Sequence, residues 1–177
     1  MKVLLASLAA ALPLTALACP DWSPASERLP EVFADLAATR DELAAQRHAD
    51  RIWQDWTQAP DARAQDLLDA GMRRIRASDF TTADAVLSDL ITYCPGYAEG
   101  WNQRAFARFL QGRHDAALAD IDEVLLREPH HFGALSGRVR IFLAQGRVAL
   151  AQRALADALA IHPLLNDRFL LRPGTKT

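Results

Sequence analysis

The sequence predicts an all-α fold in which three helical hairpins stack into a solenoid. The first observation is a set of prolines that stand 34 residues apart: Pro95, Pro129 and Pro163. The second is a column of small residues midway through each 34-residue unit: Ser78, Gly112 and Gly146. The third is that the apolar residues of each 34-residue unit recur at helical spacing. One such hairpin cannot bury its apolar face alone, so neighbouring hairpins must stack.

The middle unit shows how the sequence forms each hairpin. Gly112 ends the first helix, because glycine readily adopts the left-handed conformation found at helix ends. Pro129 follows the second helix and cannot continue it. The apolar positions recur in the other units as two columns: Leu67, Trp101 and Leu135, and Leu87, Ile121 and Leu155. The same hairpin is therefore expected three times.

This pattern resembles the tetratricopeptide repeat (TPR) family, whose unit carries a tryptophan, a later alanine and a closing proline at fixed places. The unit 98–131 matches at Trp101, Ala117 and Pro129, and the neighbouring units keep the alanine and proline columns. The resemblance implies a TPR-type solenoid over residues 64–165. It also implies a concave face that binds protein or peptide partners.

The sequence departs from the family pattern where arginine replaces an apolar residue. The substituted positions are Arg74, Arg104, Arg108 and Arg138. The long arginine stem can still cover apolar surface, so the fold is not threatened. We expect these arginines to form ion pairs between helices, for example with Asp120 or Asp122.

Less regular segments flank the repeats. Pro30 suits the first turn of a helix and Asp41 suits an N-cap, so we expect two N-terminal helices that cap the first repeat. A short apolar segment after Pro163 either folds back over the last hairpin or docks on another chain. The predicted organisation is a signal peptide (1–18), an extended arm (19–29), an N-terminal helical pair (30–60), three repeats (64–97, 98–131 and 132–165) and a C-terminal cap and tail (166–177).

The first 18 residues predict a signal peptide. Lys2 precedes an apolar run that is short for a membrane span, and the run ends in a small-x-small pattern at Ala18. We therefore expect a periplasmic or secreted protein cut after Ala18. Because Cys19 follows the cut, a lipoprotein is the alternative, although Leu17 stands one place late for that signal. Membrane contact is expected only if Cys19 is lipidated.

The chain has two cysteines, Cys19 and Cys94. Cys94 shares its repeat column with Glu128 and His162, so we expect this column to face solvent. An exposed thiol is a liability in an oxidising compartment, which favours a Cys19–Cys94 disulfide. The alternatives are a free Cys94, an intermolecular bond, and a lipidated Cys19 that leaves Cys94 unpaired.

The sequence offers no recognisable chemistry for a reaction or a metal. A net charge of −2 argues against a nucleic-acid surface, and two cysteines are too few for a four-cysteine zinc site. His130 and His131 are adjacent, lack nearby metal ligands and are expected to be solvated in a turn. Ser136 falls inside a repeat helix, not on a strained turn after a strand. We therefore expect no catalytic residue, metal, cofactor or small-molecule substrate.

Function is expected on the concave face, which the resemblance assigns to the first helix of each unit. The candidate residues are Leu68, Met72, Ile75, Arg76, Glu99, Asn102, Phe106, Phe109, Ser136, Arg140 and Leu143. This mixture of apolar and polar side chains suits a short peptide, or an amphipathic helix with one acidic end. The alternative is that Met72, Phe106 and Phe109 belong to the packed core.

Two functions are compatible with these features. One is an exported interaction scaffold that binds a peptide or protein in the concave groove. The other is a structural subunit of an envelope complex or a homo-oligomer, which a lipidated Cys19 would anchor to the membrane. An oligomer would use the apolar C-terminal segment and the N-terminal helices.

Overall fold

The computed structural model describes residues 19–170, and all regular structure within that range is helical. The elements are α1 (Ala25–Arg28), α2 (Pro30–Ala38), α3 (Glu42–Trp56), α4 (Ala62–Arg76), α5 (Phe80–Tyr93), α6 (Ala98–Leu110), α7 (His114–Arg127), α8 (Phe132–Ala144), α9 (Val148–Ile161) and a 3₁₀ turn (Asn166–Phe169). The predicted all-α fold is confirmed. The predicted signal peptide (1–18) and the end of the tail (171–177) lie outside the described residues.

Three antiparallel hairpins, α4–α5, α6–α7 and α8–α9, pack in chain order. The first helices also contact one another, α4 with α6 and α6 with α8, so they form a continuous inner layer. Small residues set the close approach within a hairpin. A Cβ added at Gly71 would lie 2.6 Å from the side chain of Leu87. The predicted solenoid is therefore formed by side-by-side packing of neighbouring units.

The N-terminal pair, α2 and α3, packs chiefly against the third unit, which corrects the prediction that it caps the first. Its buried side chains form one cluster with a residue of α8: Phe33, Leu36, Ile52, Trp56 and Phe132. Helix α2 also contacts α9. The reason is that residues 19–29 run from the first hairpin toward the third before the pair begins. Helix α3 then returns along the solenoid to the start of α4.

Polar contacts fasten this N-terminal segment along its length. The Ala25 amide donates to the Glu128 carboxylate, and the Tyr97 hydroxyl donates to the Trp56 carbonyl oxygen at 2.5 Å. Burial raises the pKa of Tyr97, so its hydroxyl remains a donor. At the far end, Arg168 donates to Glu42 at 2.6 Å. These contacts hold the segment against the first two units and against the 3₁₀ turn that follows the third.

The column Cys94, Glu128 and His162 is buried, although the sequence led us to expect a solvent-facing column. These residues follow the second helices of the three hairpins, and the N-terminal segment covers this row. Cys94 forms a disulfide with Cys19, and their Cα atoms are 5.2 Å apart. The disulfide places the start of the arm at the junction between the first two units.

The described part of the C-terminal segment folds back onto the chain. Leu164 and Leu165 pack against the N-terminal pair, and Leu170 packs against the core of the last hairpin. Among residues 19–170, no helix combines the length and apolarity needed to cross a bilayer.

Candidate partner-binding groove

A cavity of about 320 Å³ opens on the inner layer between α6 and α8. Its lining includes buried apolar residues, half-exposed aromatic rings and four polar side chains. The lining residues are Trp53, Asn102, Gln103, Ala105, Phe106, Phe109, Ile121, Gly133, Ser136, Gly137, Arg140 and Ile141. We call this space the groove cavity.

Five of the predicted groove residues line this cavity: Asn102, Phe106, Phe109, Ser136 and Arg140. Phe106 is 47% exposed, so it is not a core residue and offers a free aromatic face at the mouth. The structure therefore brings together predicted side chains from the middle and third units.

The other predicted residues lie elsewhere. Leu68 is fully buried in the first hairpin, in a cluster that also includes Cys19 and Trp22 of the arm. Met72 and Ile75 are partly buried against the same cluster, and Leu143 packs into the last hairpin. Arg76 is exposed on α4, away from the cavity lining. The reason is that the cavity is built from α6 and α8, whereas α4 contributes no residue to its lining.

Sequence reasoning missed Trp53, which reaches the cavity from α3, outside the repeats. A Cβ added at Gly133 would lie 2.6 Å from the Trp53 ring, so glycine is needed there for close approach. Gly133 and Gly137 are four residues apart on α8, which is a spacing that brings both onto one helix face. That pair of glycines was the sequence feature that could have predicted another helix packed closely against α8.

Glu99 lies beneath the cavity and is buried. Its carboxylate faces His131, whose Nε2 lies 3.0 Å away. The Nδ1 atom of His131 accepts from the Ala134 amide at 3.1 Å, so the ring proton sits on Nε2 and is donated to Glu99. The ring also stacks on Trp56 with centroids 3.8 Å apart. His131 is thus buried by the N-terminal pair, contrary to prediction, while His130 is exposed.

Glu99 also fixes two amide side chains in the cavity wall. It accepts from Nδ2 of Asn102 at 3.1 and 3.2 Å and from Nε2 of Gln103 at 2.5 Å. A carboxylate can only accept, so the amide nitrogens must face it. The oxygens Oδ1 of Asn102 and Oε1 of Gln103 are consequently the atoms left for a ligand.

Arg140 lies across the cavity on α8. Its guanidinium pairs with Asp167 of the 3₁₀ turn, and Asp167 also accepts from the Ser136 hydroxyl. The Arg140 side chain is 53% exposed, whereas Asp167 is buried. Arg140 is therefore charge-compensated but keeps solvent-facing donors.

Comparisons with known proteins agree with this architecture. The tetratricopeptide repeat family matches residues 108–168. A TPR repeat-containing protein of Rhizobium etli is 33% identical over 141 residues, which are 80% of this chain and 69% of the relative. The chain belongs to the tetratricopeptide repeat family. Repeats of this family generally mediate protein–protein interactions.

In this TPR protein the cavity chemistry suits binding. Its polar groups are two amides, one hydroxyl and one guanidinium, and the Ser136 hydroxyl donates to the Asp167 carboxylate. Among residues 19–170, no group of three or more histidine, cysteine or acidic side chains is placed to hold a metal ion. The TPR groove therefore presents hydrogen-bonding and apolar contacts to a partner.

Proposed function

We propose that this TPR protein is an exported interaction scaffold that binds a peptide or protein partner in the groove cavity. The observation that carries the proposal is the cavity itself, an apolar space on the inner layer with a half-exposed Phe106 at its mouth. Exposed aromatic side chains in concave sites are typical of binding surfaces.

Export is supported by the predicted signal peptide (1–18) and by the Cys19–Cys94 disulfide. Disulfides persist in oxidising compartments and are rare in reducing ones. The disulfide also favours a non-lipidated form, because the Cys19 sulfur cannot carry both a lipid and Cys94. Mass spectrometry of the mature protein tests this. We expect an unmodified N-terminal Cys19 linked to Cys94, and a lipidated N-terminus would refute it.

Site-specific cross-linking tests the groove. A photoreactive amino acid at position 106, expressed in cells of the source organism, should capture a partner protein. The same amino acid at position 126 is the matched control, because Leu126 is an exposed apolar residue of α7 outside the cavity lining. Cross-links at position 126 but not at 106 would place the partner outside the groove.

The alternative of a structural subunit or homo-oligomer would use the apolar C-terminal segment and the N-terminal helices. In that segment Leu164, Leu165 and Leu170 are packed within the chain, whereas Phe169 is 42% exposed. Light scattering distinguishes the two: a monomer agrees with the scaffold, and a stable oligomer favours the alternative.

A further inference from the structure

We propose that the groove cavity holds one bulky, uncharged apolar side chain of the partner, and that Asn102 and Gln103 bind the backbone N–H groups beside it. This inference rests on the proposed function and specifies the partner segment. The groove cavity would therefore recognise one anchor residue in an extended or loop segment of the partner.

The size and lining of the cavity suit a bulky apolar side chain. Its volume is close to the lower limit of about 300 Å³ for clefts that hold small ligands. The buried lining residues Ala105, Ile121 and Ile141 are all apolar. Gly137 adds space, because the nearest atom to a Cβ built there is a methyl carbon of Ile121 at 3.4 Å.

Helix α3 excludes a helical partner. A second space, lined jointly by α3 and by Ser136 and Arg140 of α8, shows that α3 runs along the inner layer next to the cavity. The boundary between the two spaces is formed by Trp53 of α3 together with Ser136 and Arg140 of α8, because all three line both. A partner helix laid along α6 and α8 would collide with α3. An extended segment that inserts one side chain has no such conflict.

The hydrogen-bonding groups around the cavity select a peptide backbone. Because Glu99 holds the amide nitrogens of Asn102 and Gln103, their oxygens remain as acceptors and require donors such as backbone N–H groups. Arg140 has donors left for a backbone carbonyl oxygen. Since Asp167 already compensates its charge, the cavity does not need an acidic anchor. Glu99 acts as a positioning residue for these amides.

Selection from a random peptide library tests the anchor. Linear heptapeptides displayed on phage are panned on the purified, disulfide-bonded protein, and enriched sequences are synthesised for fluorescence anisotropy. We expect one position to be enriched in leucine, methionine, phenylalanine or tryptophan. A Gly137→Leu variant should weaken binding by at least about tenfold, because the new side chain fills the cavity while leucine favours the helix.

A Gly96→Leu variant is the matched control. A Cβ built at Gly96, in an exposed turn, meets no atom within 4 Å, so binding should be unchanged. The proposal is overturned if Gly137→Leu retains binding, if the enriched peptides share a charged residue instead of an apolar one, or if no peptide is enriched. If cross-links at position 106 persist in any of these cases, the groove still binds a partner, but by other contacts.

N-methylation tests the amide contacts separately. Methylating the anchor residue's amide and those beside it, one at a time, removes one N–H donor from the selected peptide. At least one such change should weaken binding to the natural protein by about tenfold, the size expected for one buried hydrogen bond. An Asn102→Leu/Gln103→Met variant lacks the two acceptor oxygens. This variant should therefore bind the methylated peptide no more weakly than it binds the unmethylated peptide. Equal losses for both proteins would overturn the assignment of these two residues.

Discussion

Asp120 joins three helices through two arginines. Its carboxylate accepts from Nη2 of Arg104 at 2.8 Å and from Nη1 of Arg108 at 2.8 Å. Arg108 also donates to Asp84 of α5 at 2.9 Å. The expected ion pairs of Arg104 and Arg108 are thus confirmed, and they link α5, α6 and α7. Asp120 is buried in this network.

Replacing Asp120 by alanine should lower the free energy of unfolding by about 3 kcal/mol, because two largely buried guanidinium groups lose a partner. Asp122→Ala is the matched control. The Asp122 side chain is 73% exposed and pairs with Arg138, whereas that of Asp120 is 3% exposed. The control substitution should lower the free energy of unfolding by less than about 1 kcal/mol. Urea unfolding measures both losses, and equal values would contradict the importance of burial.

His162 is buried beside Phe132, with ring centroids 5.3 Å apart. Burial, and secondarily the positive charge of Arg168, lowers the pKa of His162 below its ordinary value of 6.5. The folded chain therefore binds a proton at this site less readily than the unfolded chain does. This difference removes stability as the pH falls from about 7 toward the folded-state pKa.

A His162→Leu variant should lose this pH dependence. Between pH 7 and pH 5, the natural protein should lose stability relative to the variant, by at most about 1.4 kcal/mol per pH unit. Urea unfolding at several pH values provides the measurement. His130→Leu, at an exposed histidine, controls for the substitution itself. Parallel stability–pH profiles for the natural protein and His162→Leu would show that His162 does not contribute to the pH dependence of stability.

The groove residues show how far the sequence predicts a site. Periodicity placed Leu68, Asn102 and Ser136 in one column, and the last two do line the cavity. Leu68 does not, because it is buried in a cluster with Cys19 and Trp22. Helical spacing identifies which residues share a face. It does not reveal which other part of the chain covers that face.

At the scale of the element, each hairpin turns at a residue with a positive φ. The angles are 58° at Ser78, 74° at Gly112 and 71° at Gly146. The column of small residues therefore marks the turns, as predicted. Ser78 adopts a conformation that an L-residue tolerates less well than glycine.

Ser78→Gly should stabilise the protein by about 0.5–1 kcal/mol, since it relieves backbone strain at the turn of the first hairpin. The reverse change at the equivalent place, Gly146→Ala, should destabilise it by about 1 kcal/mol. Thermal unfolding followed by circular dichroism reports both. A lower melting temperature for Ser78→Gly would contradict the explanation.

The sequence predicted that helix α3 forms, but it did not predict which part of the chain α3 packs against. Asp41 is its N-cap, and its carboxylate accepts from the Ala44 amide at 2.6 Å. Among the large apolar residues of α3, Ile52 and Trp56 are buried, but Leu43 is exposed. Capping depends on a few adjacent residues, so the sequence reveals it. The choice of packing partner depends on the whole chain.

At the scale of the molecule, the N-terminal segment links all three units. Its disulfide closes a loop with a sequence separation of 75 residues. A long covalent loop restricts the unfolded chain and so favours the folded state. The disulfide and the buried N-terminal cluster should make the solenoid unfold as one cooperative unit.

A Cys19→Ala/Cys94→Ala variant should lose about 4 kcal/mol of unfolding free energy in the chain-entropy model. Adding a reductant to the natural protein should produce a similar loss, and the variant should not respond to it. Urea unfolding with and without reductant makes the comparison. Two free thiols in the unreduced, denatured natural protein would refute the disulfide.

The repeated hairpins, their turns and the ion-pairing arginines follow from the sequence alone. These features depend on residues that are close in the chain or one 34-residue unit apart. The folded structure is needed to reveal the path of the N-terminal segment, the burial of His131 and the wall that Trp53 adds to the groove cavity. Those contacts join distant parts of the chain that no repeat relates, so their partners depend on how the complete chain packs.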